Sequence, residues 1–184
     1  MPARMPVRRA EQRVANTVAL MADKPDKPLS KEARTLTLAG GLAVLNAAVA
    51  EAERIGQPMC ISVVDTGGNL LTFGRMDGSK ALSAISTRNK AVTAALSNEP
   101  TGGAHADVEL QVTLASENKW TNLLGGIPIR VDGFVLGAVA AGSGTGQQDL
   151  AVARAGAAAI TGAEMFEDFT PMGAEDTGII RGLS

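Results

Sequence analysis

The only histidine is the side chain best suited to acid–base chemistry in this chain of 184 residues. His105 precedes Glu109 by four positions, so both side chains would share one face of a helix that began early enough. An imidazole beside a carboxylate could act as a general acid/base or form half of a weak metal site. We therefore name His105 and Glu109 as candidate catalytic and metal-ligating residues, for Fe or Mn rather than structural zinc. A solvated loop histidine is the alternative interpretation.

A glycine-rich stretch, GSGTGQQD at 142–149, separates an apolar run from an alanine-rich one. Gly142, Gly144 and Gly146 permit a concave backbone, and a following helix start would offer amides to a carboxylate or phosphate. Asp149 could instead satisfy that helix start itself, which would make the turn purely structural. A nucleotide is not expected, because the glycine spacing misses the dinucleotide fingerprint and a Walker lysine is absent.

Two basic residues, Arg88 and Lys90, lie on the second predicted helix beside several serines and threonines. Arg88 and Lys90 are about 200° apart on a helical wheel, so they cannot both face one ligand. We name Arg88 as a candidate contact for a carboxylate-bearing ligand, and solvated charges are the alternative. Gly125 and Gly126 would let the backbone approach either a ligand or a neighbouring helix closely.

Helices are predicted from apolar residues at helical spacing. The first should begin at an N-cap on Ser30 and end at Ile55, before Gly56 and Pro58. The second should begin at a Ser79 cap, and its interior positions should be Leu82, Ile85, Val92 and Leu96. A third is predicted at about 107–118, and a fourth over QQDLAVARAGAAAITGA.

Strands are predicted as two hairpins. The runs MCISVVD and LLTFGRM are joined through TGGN, and the runs IPIRV and FVLGAVAA flank Asp132-Gly133. An Asp-Gly pair favours a type I′ turn, in which both central residues have positive φ. The order α-ββ-α-(α)-ββ-α therefore predicts an α+β fold in which helices pack on an antiparallel sheet.

The length predicts one domain with flanking segments. Residues 1–29 are expected to be an N-terminal arm and linker, with a short helix at about Glu11–Met21, because DKPDKPL places two prolines among charges. The domain should span 30–168, and 169–184 should form a C-terminal tail.

Composition excludes several classes of protein. A net charge of −2 and 3% aromatic residues argue against nucleic-acid binding. Cys60 is the single cysteine, so no internal disulfide or CxxC zinc site can form, and a small buried strand residue is expected there. No apolar run is long enough to span a membrane, and the N-terminus does not resemble a secretory signal, so a cytoplasmic protein without membrane partners is expected.

Three patterns occur together in the chain: GQP…VVD.GG.L, an RNKA helix, and the ending GG.P…DG…GA…G..G.QD. In this combination the chain resembles the GlcG/HbpS family over about Leu36 to Ala163. This is the so-called haem-degrading domain, which also forms the C-terminal part of PduO-type cobalamin adenosyltransferases.

The resemblance implies a profilin-like fold with a central antiparallel sheet of about five strands flanked by helices. It implies homo-oligomers such as dimers, tetramers or octamers, and haem or another tetrapyrrole as the ligand in some members. Thr113 matches the spacing of a threonine tied to haem coordination in the haem-sensing branch. A helical threonine bonded to its own backbone is the alternative.

Three functions remain open, because a fold does not define a function. The first is an oligomeric ligand-binding protein that takes a tetrapyrrole or a carboxylate-bearing small molecule through Thr113, Arg88 and the glycine-rich stretch. The second is a catabolic isomerase, lyase or ring-processing enzyme that uses His105. The third is an accessory protein without chemistry.

Overall fold

The computed structural model describes residues 30–166 and the isolated Gln12. The chain divides into two compact units, Met1–Ala33 and Arg34–Ser184, and every element below belongs to the second. Apart from Gln12, the predicted arm and its short helix lie outside the described residues. The predicted tail at 169–184 also lies outside them.

Within residues 30–166, four helices and four strands follow one another in the predicted order. They are α1 (Leu38–Arg54), β1 (Cys60–Asp65), β2 (Leu70–Arg75), α2 (Ser83–Ser97), α3 (Ala106–Ala115), β3 (Gly126–Val131), β4 (Phe134–Gly142) and α4 (Gly146–Ala158). All pairings are antiparallel, in the spatial order β2-β1-β4-β3. The α+β class is confirmed, but the sheet within residues 30–166 has four strands rather than about five.

The two faces of the sheet are covered differently because side chains alternate along each strand. Val139 and Ala141 of β4 face α1 and α4, within a core that includes Ile61, Ile129 and Leu150. Ala138 and Ala140 face the other way, against the alanines of α2. Small side chains on both sides of this second contact let the α2 backbone approach the sheet closely.

The first helix begins later than predicted. Thr37 is its N-cap and accepts a hydrogen bond from the Gly40 amide, so the helix does not start at Ser30. The preceding segment is extended, and the Leu36 amide donates to the Leu136 carbonyl of β4. Pairing with a strand distant in the chain thus takes precedence over the local capping signal.

The second helix presents a different face to the core than predicted. Its N-cap is Leu82 rather than Ser79, and Leu82, Ile85 and Leu96 are 76%, 65% and 63% exposed. The buried face instead carries small and polar residues, including Thr87, Lys90 and Ala91. The predicted interior of this helix is therefore wrong, except that Val92 packs partly against the alanine core.

Both hairpin turns form as the sequence indicates. Asp132 and Gly133 have φ of 51° and 76°, the two positive values that a type I′ turn requires. In the other turn, the Asp65 carboxylate accepts hydrogen bonds from Gly67 and Asn69. Burial raises the pKa of the Asp65 carboxyl, but these hydrogen bonds outweigh burial and hold the pKa below its ordinary value.

Candidate functional site

A buried ion pair joins α2 to α4 beneath the glycine-rich stretch. Lys90 Nζ lies 2.8 Å from Asp149 Oδ2, and the two side chains are only 5% and 7% exposed. Lys90 belongs to the RNKA pattern, and Asp149 ends the pattern G..G.QD. Two segments 59 residues apart in the chain therefore meet in one contact.

Further hydrogen bonds complete the coordination of both charges. Lys90 Nζ also donates to the Ala141 carbonyl at 3.0 Å. Asp149 Oδ1 accepts from the Gly144 amide at 3.0 Å. A buried charge is tolerated when it is paired and hydrogen-bonded in this way. Lys90 is thus not solvated, whereas Arg88, two positions earlier, is exposed.

Glycines surround the ion pair because larger side chains would collide there. A Cβ at Gly125 would lie 2.6 Å from Asp149 Cβ, and one at Gly126 would lie 2.6 Å from the Lys90 carbonyl oxygen. A Cβ at Gly142 would lie 2.8 Å from Thr87. The glycines at 125 and 126 therefore accommodate the chain's own elements, which is the second of the two interpretations open from the sequence. Two of the three sequence patterns, RNKA and GG.P…G..G.QD, therefore meet at this point of the fold.

A cavity of about 270 Å³ opens beside the pair. We name it the polar cavity, and its polar side chains are Lys80, Ser83, Ser86, Lys90, Ser143 and Asp149. Two lysines against one aspartate make its lining cationic overall. The hydroxyl groups of Ser83, Ser86 and Ser143 supply further hydrogen-bonding groups, so the cavity suits a small anion better than a cation.

Ser143 has an unusual backbone conformation in the wall of the polar cavity. Its φ is +107°, although it is not glycine, and the residue is only 8% exposed. Its hydroxyl accepts a hydrogen bond from the Lys80 amide at 3.0 Å. Backbone strain of this kind costs about 1–3 kcal/mol and persists where the surroundings enforce it, commonly at binding sites. No pattern in the sequence marks Ser143 as a candidate site residue.

The start of α4 is closed by its own capping box. The Gln148 amide donates to the Thr145 hydroxyl, and the Thr145 amide donates to the Gln148 side chain. The structural alternative, in which Asp149 would satisfy the helix start, therefore does not form. Asp149 instead accepts hydrogen bonds from Lys90 and from the Gly144 amide. The three glycines named as candidate contacts all line the polar cavity, namely Gly142, Gly144 and Gly146.

The candidate catalytic residues lie elsewhere. His105 precedes α3 as its N-cap and is 68% exposed, and its nearest carboxylate is Asp107 at 3.8 Å. Glu109 accepts a hydrogen bond through its backbone from Thr113 Oγ1 at 2.8 Å. Within the described part of the chain, no group of three or more His, Cys, Asp or Glu residues is arranged to hold a metal ion.

Two other placements bear on the expected ligand contacts. Thr113 uses its hydroxyl on its own helix, the alternative considered from the sequence, and it does not line the polar cavity. Arg88 also lies outside that lining. Among residues 30–166, no helix combines the length and the apolar character needed to cross a bilayer.

Fold and site together define an α+β protein with a two-hairpin sheet and a buried Lys–Asp pair under a glycine-rich corner. A family model described as "Haem degrading protein HbpS-like" matches residues 36–158. The chain belongs to this HbpS-like family, and the resemblance seen in the sequence is confirmed.

Several known proteins are similar to the chain. GlcG of Escherichia coli K12 is 37% identical over 98 residues, which cover 53% of this chain and 73% of GlcG. The crystal structure of HbpS has 32% sequence identity and a TM-score of 0.63, covering 72% of this chain and 95% of HbpS. A structure described as the PduOC:heme complex has a TM-score of 0.65 at 23% identity, covering 72% and 99%, and shows the shared fold.

Proposed function

We propose that the chain is a cytoplasmic, oligomeric binding protein whose polar cavity holds the carboxylate of a small organic acid. The observation that carries this proposal is the meeting of the RNKA pattern and the GG.P…G..G.QD pattern at a cationic cavity beside the Lys90–Asp149 pair. Lys90 is neutralised by Asp149, which leaves Lys80 as the cation for a ligand. The strained Ser143 in the cavity wall supports a binding role.

The size of the polar cavity favours a small ligand. Its volume of about 270 Å³ falls just below the range of roughly 300–1,000 Å³ that encloses drug-sized molecules. A short hydroxy acid or dicarboxylic acid fits this volume. Its carboxylate would meet Lys80, and its remaining oxygens would meet the hydroxyls of Ser83, Ser86 and Ser143.

A tetrapyrrole is the second candidate ligand, favoured by the family and by the heme complex of PduOC. Among the described residues, the lining of the polar cavity contains no histidine, cysteine or methionine, which are the usual protein ligands of haem iron. These residues therefore do not fit the iron, and they fit at most a carboxylate of the macrocycle. Leu82 and Ile85 are exposed and adjoin the lining residues Ser83 and Ser86 in the sequence, and the exposed Leu123 itself lines the cavity. These apolar side chains would contact an apolar ring.

The self-association in this proposal is supported by exposed apolar helices. None of residues 107–115 of α3 is buried, and Val108, Leu110, Val112 and Leu114 are 38–68% exposed. Apolar residues on both sides of a helix require cover on both sides. A second copy of the chain would supply it.

Replacing Lys80 with glutamine is expected to weaken binding of lactate or succinate about three- to tenfold, because among the described lining residues it removes the cation that Asp149 does not neutralise. Calorimetric titration of the wild-type protein and the variant measures the change. Lactamide, the neutral analogue of lactate, should bind poorly to both.

Matched controls distinguish this site from the other possibilities. His105→Ala should bind both acids as the wild type does, whereas an enzyme acting through His105 would lose turnover on that change. Haemin should shift its Soret band with the wild-type protein if a tetrapyrrole is the ligand. Absence of binding by all small acids, together with a stoichiometric Soret shift, would reject the small-acid proposal in favour of the tetrapyrrole.

A comparison of Ser143→Gly with Ser143→Ala separates backbone strain from hydroxyl chemistry. The glycine variant should be about 1–2 kcal/mol more stable than the alanine variant, because glycine adopts positive φ freely, an advantage reduced by its greater unfolded-state entropy. Both variants should bind the acid more weakly than the wild type. Urea denaturation and calorimetry measure the two effects, and equal stabilities would show that the position is unstrained.

A further inference from the structure

A larger cavity, of about 510 Å³, lies on the other side of Leu124 from the polar cavity. The side chain of Leu124 contacts both Gly102, in the wall of the larger cavity, and Gly146, in the wall of the polar one. We name the larger one the tryptophan cavity. Its lining includes Thr93, Glu99, Thr101, Trp120, Asn122 and Phe166. It includes the segment NEPTGG, to which the proposed function assigns no role.

Hydrogen bonds between distant segments hold the walls of the tryptophan cavity in place. Asn122 receives a bond from the Ala104 amide and donates one to the Ala104 carbonyl, both at 3.0 Å. Thr101 is tied to Gly126 by two bonds, of 3.0 and 2.8 Å. A cavity whose walls are fixed before binding avoids the entropic cost of ordering them.

Trp120 lines both the tryptophan cavity and a neighbouring cavity of about 290 Å³. Both cavities are lined by Trp120, Thr93 and Ser97. The Thr121 amide donates to Thr93 Oγ1 at 3.0 Å, which anchors the chain next to the indole. An anchored aromatic side chain that contributes to the walls of both cavities is suited to stacking on a planar ring.

The charges around the tryptophan cavity select against anions. Of the lining residues that the structure describes, Glu99 is the only ionisable one. The Arg130 guanidinium lies 3.9 Å from Glu99, but its shorter contacts go elsewhere. It donates to the Asn98 side chain and carbonyl and to Glu164, and it stacks on Phe166 at 4.9 Å. The cavity therefore offers an aromatic platform and a carboxylate at its rim.

We propose that the tryptophan cavity is a second ligand site, which binds a planar aromatic molecule carrying a positive charge. Trp120 stacks on its ring and Glu99 attracts its cation. This goes beyond the proposed function, because it concerns another cavity and a ligand of opposite charge. Neither site needs the other in order to bind.

The test uses 9-aminoacridine, a planar tricyclic cation, against the full-length protein, with acridine-9-carboxylate as its anionic counterpart. Trp120 is the only tryptophan and the chain has no tyrosine, so the intrinsic emission reports this position directly. The cation should quench the emission saturably at one site per chain and bind about fivefold more tightly than the anion. Glu99→Gln should abolish that preference, and Trp120→Leu should weaken calorimetric binding of the cation about tenfold.

Two variants outside the tryptophan cavity show whether the dye binds there. Leu110→Ser, on the exposed face of α3, should leave dye binding unchanged, and loss of binding in this variant would place the dye on that face. Lys80→Gln should also have no effect, so failure at one cavity is separable from failure at the other. Equal affinity for both dyes, or an affinity independent of Trp120, would overturn the proposal.

Discussion

Replacing Lys90 with methionine is expected to lower the free energy of unfolding by about 3–5 kcal/mol. The reason is the environment of Asp149, whose side chain is 7% exposed and whose Oδ2 has Lys90 Nζ at 2.8 Å. Without the ammonium, a buried carboxylate keeps only the Gly144 amide among the contacts seen here. Urea denaturation at neutral pH measures the loss, with circular dichroism to follow the unfolding.

Two further variants assign that loss to an unpaired charge. Lys90→Met combined with Asp149→Asn should recover a large part of the stability, because the asparagine is neutral and its oxygen can still accept from Gly144. Arg88→Met, two positions away on the exposed side of α2, should change stability by no more than about 0.5 kcal/mol. A double variant as unstable as Lys90→Met alone would mean that lost packing, and not the charge, is responsible.

A glutamate in place of Leu110 is expected to convert the proposed oligomer to monomers. Leu110 is 68% exposed on a helix that buries none of residues 107–115 against its own protomer. A charge at the centre of an apolar contact between copies must be desolvated or must break the contact. Sedimentation velocity and native mass spectrometry measure the change in subunit number.

Gln111→Glu is the matched control, since it adds the same charge to the same helix at a position that is already polar and exposed. It should leave the subunit number unchanged. Both variants should keep the circular dichroism of the wild type, because α3 contributes little to the protomer core. A Leu110→Glu protein that retained the wild-type subunit number would place the interface between copies elsewhere.

Local signals were sufficient for the turns and for most elements. The Asp132-Gly133 turn formed with both φ values positive, because the chemistry of a two-residue turn is contained within the turn. The two hairpins and the α+β class followed in the same way. Local signals did not predict which residues those elements would bring together, as Lys90 and Asp149 show. Each belonged to a recognised pattern, but nothing local indicated that they would pair.

The second helix shows why an apolar stripe is a weaker guide than a turn. Its wheel placed Leu82, Ile85 and Leu96 on one side, and a helix normally turns such a side toward its own core. Here the sheet below α2 carries Ala138 and Ala140, so the tightest fit is made by Ala91 and other small residues. The larger apolar side chains then face outward.

The sequence by itself determined the class of fold, the hairpin turns, the patterns that identify the family and the single histidine available for acid–base chemistry. These follow from periodicity, turn chemistry and residue type, which act over a few neighbouring residues. Only the tertiary structure decided that Lys90 is buried against Asp149, that Ser143 is held at positive φ and that His105 is exposed away from the polar cavity. Burial and pairing depend on residues distant in the chain, and local patterns do not record those contacts.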